Sequence, residues 1–127
     1  MISLKGKRIL LVDDEAAIRD MLKEEFLLLE ATIEEADGGH AALEMVKAGD
    51  YDAVISDAKM PEGDGLELVV EIRRLGRRLP KIFLCSGMSV GDLGNAAVSC
   101  VVAVFEKPLD FEKITNLVAA SLVDPTP

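Results

Sequence analysis

The sequence predicts an α/β fold, a doubly wound parallel sheet of five strands with helices on both faces. Short apolar runs alternate with helical periodicities five times along the 127 residues. Three of the runs, "ILLV", "AVIS" and "IFLC", are continuous rather than alternating, as strands buried on both faces should be. A repeated β-α order implies parallel strands joined by right-handed crossovers.

The first strand is expected over residues 8–12. After it, "EAAIRDMLKEEFLLLE" sets Ile18, Met21, Leu22, Phe26 and Leu29 near helical spacing, with charge on the opposite face. A second strand over 31–36 leads to a short helix in "GGHAALEMVKAG", bounded by glycine at each end. The third strand, 53–56, runs into the turn-rich "KMPEGDG". A helix in "GLELVVEIRRLG" then stripes Leu68, Val69, Ile72 and Leu75 and stops at Gly76. The fourth strand covers 81–85. The helix expected next, in "SVGDLGNAAVS", is the weakest, with two glycines in its first half. Residues 101–105 form the fifth strand. The fifth helix follows Asp110 as N-cap and stripes Phe111, Ile114, Leu117, Val118 and Leu122.

Composition narrows the function. Half the residues are hydrophobic, enough for the core of one domain. A net charge of −9 argues against nonspecific binding to nucleic acid or anionic lipid, and leaves metal cations and basic protein surfaces as partners. No apolar run has the length of a membrane span, and "MISLKGKRILL" turns acidic too soon for a signal peptide. Cys85 and Cys100 lie in apolar stretches and read as small core residues in a reducing cytoplasm. The domain is expected over 1–123, with 124–127, "DPTP", as a tail or the start of a linker. The one basic cluster, "RRLGRRLPK", reads first as a solvated helix C-terminus and second as a docking patch for an acidic surface.

Open parallel sheets bind ligands beyond the carboxyl ends of their strands, where the strand order reverses. At those ends this chain places Asp13 and Asp14 after the first strand and Asp57 after the third. Ser86 follows the fourth strand and Lys107 the fifth. Three carboxylates so close cannot all stay ionised unless a cation shares the site. Oxygen donors without His or Cys suit a hard ion, and so few carboxylates suit Mg²⁺ with waters and phosphate oxygens. Lys107 is then a point charge for a phosphoryl group, and Ser86 a hydroxyl donor to one of its oxygens. A carboxylate beside the metal can itself be the nucleophile and form an aspartyl phosphate.

In order along the chain, "LLVDDE", "DAKMPEGDGLEL", "LCSG" and "FEKP" resemble the receiver domains of two-component response regulators over nearly the whole length. The resemblance implies a flavodoxin-like receiver fold, five parallel strands in 2-1-3-4-5 order flanked by five helices. It makes Asp57 the phosphoacceptor, with Mg²⁺ held by Asp13, Asp14, Asp57 and the backbone carbonyl of Lys59. Ser86 and Lys107 become the phosphate-binding and switch residues, and Lys107–Pro108 a candidate cis bond. Lys59 and Met88 take positions that tune the lifetime of the aspartyl phosphate.

The implied partners are a sensor histidine kinase or histidine phosphotransfer protein and a downstream protein or output domain. Nucleic acid and membrane are not expected as direct partners, and a homodimer is possible. Phosphorylation would switch the face made by the fourth helix, fifth strand and fifth helix. No enzymatic activity is expected beyond phosphotransfer to Asp57 itself and autodephosphorylation. The family usually carries an aromatic residue three positions before the lysine. Here that position is Val104, with Phe105 next to it on the opposite face by strand alternation. That departure favours a second reading, a phosphorylation-independent interaction module of the same fold. A small aspartyl-nucleophile hydrolase would need an acid where Lys59 stands, and "VDDEAA" would repel the phosphate of a flavin.

Overall fold

The computed structural model describes residues 2–94 and 98–123. Five parallel strands form one sheet in the order β2-β1-β3-β4-β5. They are β1 (Arg8–Val12), β2 (Thr32–Ala36), β3 (Ala53–Asp57), β4 (Lys81–Ser86) and β5 (Ala103–Glu106). The α-helices are α1 (Ala16–Leu28), α2 (Gly39–Ala48), α3 (Gly65–Arg73) and α4 (Phe111–Leu122).

Four α-helices are present among the described residues, against the five expected. The segment between β4 and β5 opens with a short 3-10 turn, Val90–Asp92, and further on the Val98 N–H donates to the Gly94 carbonyl at 3.3 Å. Residues 95–97 of the expected helix lie outside the described residues, as do 124–127. Gly91 and Gly94 account for the turn: each costs a helix interior about 1 kcal/mol against alanine, and Gly94 has φ +93°. The third and fourth strands run one residue further than predicted, so Asp57 and Ser86 close β3 and β4 rather than following them.

Strand alternation sorts the core into two layers. Ile9, Leu11, Ile55, Phe83 and Phe105 pack under α1 and α4 with Phe26, Ile114 and Val118. Leu10, Val12, Val54, Ile82 and Leu84 pack under α2 and α3 with Val46, Leu68 and Ile72. Central strands are therefore apolar on both faces, which is why "ILLV" and "IFLC" do not alternate. Phe105 stacks on Phe83 with ring centroids 6.3 Å apart, while Val104 belongs to the other layer.

Local chemistry sets the helix starts. Asp110 Oδ1 accepts the Lys113 N–H at 3.1 Å and caps α4, as the sequence predicts; Asp64 Oδ1 caps α3 through the Glu67 N–H at 3.2 Å. The basic cluster is tied to its own chain. Arg74 pairs with Glu71, Arg78 with Asp52, Arg77 donates to the Val46 carbonyl at the end of α2, and Lys81 donates to the Ser121 carbonyl. Arg74, at the end of α3, complements the negative end of that helix dipole. At the amino edge of the sheet, Arg8 lies over the Tyr51 ring and pairs with Glu34, which also accepts from the Tyr51 hydroxyl.

Candidate functional site

The site lies where the strand order reverses, between β1 and β3. Asp13 and Asp57 are buried and Asp14 is exposed, and one carboxylate oxygen from each lies within 4.8 Å of the other two. Loop packing explains how β3 delivers Asp57 so close. The Ala58 N–H donates to the Cys85 carbonyl and the Gly65 N–H to the Ala58 carbonyl, folding the chain back over the strand end. Gly65 permits this: a Cβ there would stand 2.2 Å from the Asp57 carbonyl oxygen.

Asp13 is held from two sides. Its N–H donates to the Ala36 carbonyl at 3.2 Å, and its Oδ1 accepts the Glu15 N–H at 2.9 Å. Burial raises the Asp13 carboxyl to about 6; the Glu15 N–H opposes that shift, while the charge of Asp57 adds to it. The acids thus meet at real electrostatic cost.

Lys107 answers part of that charge. Its Nζ lies 2.9 Å from Asp57 Oδ2. Burial works to lower the lysine's pKa, but the bond to Asp57 and the charges of Asp57 and Asp13 outweigh it, so the net shift is upward and the ammonium stays charged. The peptide between Lys107 and Pro108 is cis. The Lys107 N–H donates to the Ser86 carbonyl at 2.8 Å, which ties β5's exit to the end of β4. Ser86 is buried, and its Oγ accepts the Met88 N–H at 2.9 Å. The hydroxyl proton is left to point elsewhere.

Asp57 Oδ1 accepts the Lys59 N–H at 3.3 Å. The Lys59 side chain turns outward and pairs with Asp64 at 3.5 Å. Met88 stands partly exposed at the rim, and Val104 is half-buried on the α2–α3 side of the sheet. Behind the site, burial beside Asp57 and Asp13 pushes the Cys85 thiol up to about 12, so it remains an inert core group. Among the described residues no side-chain nitrogen or oxygen is buried without a partner.

The sequence reading missed Arg19. In "EAAIRDML" it is one of several charged helix residues, and nothing in its spacing marks it. In the fold its guanidinium is largely buried against the site: Nη1 donates to the Asp13 carbonyl and Nε pairs with Glu35 of β2 at 3.1 Å.

Fold and site together define an α/β domain with an acid–lysine constellation at the carboxyl edge of its sheet. The sequence matches the response regulator receiver domain family over residues 9–119, and the chain belongs to that family. It is 34% identical over 120 residues to the Regulator of RpoS from Escherichia coli K12, across 94% of this chain and 36% of that protein. The chain therefore spans about a third of that relative's length. The response regulator TrrA from Thermotoga maritima, solved in complex with Mg²⁺-BeF, superposes with a TM-score of 0.79 at 36% identity, covering 92% of this chain and 99% of that one. TrrA in complex with the histidine kinase ThkA gives 0.78 at 35% identity, covering 93% and 99%. No helix among the described residues is long and apolar enough to cross a membrane.

Proposed function

We propose that this receiver domain accepts a phosphoryl group on Asp57 in a Mg²⁺-dependent reaction and passes the change to a protein-binding face. One observation carries the reading: three carboxylates converge within 4.8 Å with the Lys107 ammonium 2.9 Å from Asp57. The donor set fits Mg²⁺, being all oxygen and net negative, and a bound cation would offset the cost of burying the Asp13 charge. Asp13, Asp14, Asp57 and the Lys59 carbonyl would hold it. When bound, the ion would neutralise the carboxylates and the oxygens of an incoming phosphoryl group.

The rest falls to the chain's own side chains. An Asp57 oxygen forms the bond to phosphorus as the P–N bond of the donor's phosphoimidazole breaks; with that ring protonated on its other nitrogen, an acyl phosphate is left on Asp57 and a neutral imidazole on the donor. Lys107 follows the charge from the carboxylate to a phosphoryl oxygen. Ser86, whose Oγ already accepts from the Met88 N–H, has its proton to donate to another. Inward movement of the Ser86 loop and of β5 would alter the groove lined by Val104, Glu106, Lys113 and Leu117. With Val104 in place of an aromatic and Phe105 locked in the core, that coupling runs through the backbone bond from Lys107 to Ser86. Lys59 and Met88, at the rim, govern access of donor and water. A histidine kinase or histidine phosphotransfer protein is the expected donor; ThkA bound to TrrA supports a kinase.

Intact mass after incubation with acetyl phosphate tests the proposal. A gain of one phosphoryl group that requires both Mg²⁺ and Asp57, and is absent in Asp57→Asn, is expected. No gain in the folded, Mg²⁺-binding protein would leave the constitutive interaction module.

A further inference from the structure

We infer that Arg19 is the positioning residue of the acid pair, holding Asp13 and Asp14 in place for the cation from outside the site. This rests on the reading of the acid cluster as a Mg²⁺ site. Asp13, Asp14 and Asp57 gather their carboxylates within 4.8 Å, and the turn after β1 would relieve that charge by opening. Hydrogen bonds from Asp13 to Ala36 and from Glu15 to Asp13 fix one side of the first acid. They do not fix the peptide plane between the two acids.

Arg19 does. Its Nη1 donates to the Asp13 carbonyl, which shares a rigid plane with the Asp14 nitrogen. The same guanidinium is anchored by Nε to Glu35 at 3.1 Å, and Glu35 is gripped a second time by Lys23 at 3.5 Å. With the Arg19 side chain only 17% exposed, the fork is locked between α1, β1 and β2. A planar donor spanning two acceptors in different directions is a task a lysine cannot copy. Groups one step behind the ligands typically alter metal affinity 10- to 100-fold when removed.

Charge and position make opposite predictions here, which gives the test its sign. Deleting a cation beside three acids should tighten Mg²⁺ binding if Arg19 acts only through its charge. Removing a positioning group should weaken it. Calorimetric titration with MgCl₂ would be run on the wild type, Arg19→Met and Arg19→Lys, each folded and well below its melting temperature. Arg19→Met is expected to weaken the Kd for Mg²⁺ by roughly tenfold or more. Arg19→Lys, with the charge kept and the fork lost, is expected to weaken it as well, by a smaller factor. A merely structural role would lower melting temperature while leaving both Kd values at the wild-type level, and that result would overturn the inference. Tighter binding by Arg19→Met would overturn it too. Should Arg19→Met fail to fold, Arg19→Lys decides alone, with an unchanged Kd counting against positioning. A wild type that shows no Mg²⁺ binding would instead defeat the metal-site reading beneath.

Discussion

Replacing Asp13 by asparagine should stabilise the metal-free protein at neutral pH, by an amount the fold itself sets. Burial beside Asp57 raises the Asp13 carboxyl from 3.8 to about 6. The folded state therefore holds this proton about a hundredfold more tightly than the unfolded chain, and at about 1.4 kcal/mol per tenfold that is on the order of 3 kcal/mol. The sign follows from linkage. Below about pH 4 both states are protonated and Asp13 costs nothing. As pH rises toward 6 the unfolded chain releases its proton first, so stability falls, and above about 6 the full penalty is present. Asparagine keeps an oxygen for the Glu15 N–H and carries no charge. Urea unfolding followed by far-ultraviolet circular dichroism, in EDTA from pH 4 to pH 8, compares the two chains. Taking the difference cancels the other carboxylates. Asp13→Asn should match the wild type near pH 4 and exceed it by about 2–3 kcal/mol at pH 7.5. A gap that does not grow with pH, or an asparagine variant less stable at pH 7.5, would refute the reasoning.

Other outcomes follow from the same geometry. Saturating Mg²⁺ should raise wild-type stability by about 2.7 kcal/mol at a hundred times Kd, since only the folded cluster binds it; superimposable melting curves in EDTA and in millimolar MgCl₂ would remove the metal site. Lys107→Ala should keep Mg²⁺ binding and phosphorylation at Asp57 while losing the phosphate-dependent change at the β5–α4 groove, read by amide chemical shifts around Val104 and Leu117. Gly65→Ala should cost about 2–3 kcal/mol in urea unfolding because its Cβ meets the Asp57 carbonyl, whereas Gly87→Ala, with open space around it, should be close to neutral. Phe105→Ala should cost about 3–4 kcal/mol through the cavity left against Phe83, marking Phe105 as core rather than as a moving part.

Much of this protein is local enough to be legible in its sequence. Burial on both faces writes a strand as a continuous apolar run, and a helix writes its stripe every three or four residues, so five strands and four helices could be read directly. Because the strands are parallel, their carboxyl ends share one edge. The parallel order therefore predicts that Asp13, Asp14, Asp57 and Lys107 gather at one edge, and the fold places them together. The Asp110 cap was equally plain, since capping is a bond between near neighbours in the chain.

Interactions between residues far apart in the chain were decided only by the tertiary structure. The segment after β4 opens with a 3-10 turn at its glycines, which its weak periodicity does not foretell. The basic cluster reads from sequence as a solvated helix C-terminus, and only the fold shows Arg77 and Arg78 bonded to Val46 and Asp52, residues more than twenty positions away. Neither the raised carboxyl of Asp13 nor the grip of Arg19 on its backbone has a sequence signature. Both arise from what surrounds a group in three dimensions: the water excluded from a carboxylate, and an arginine fork brought against a carbonyl six residues earlier and a carboxylate sixteen residues later. Periodicity determined where the acids would gather; only packing could decide what keeps them there.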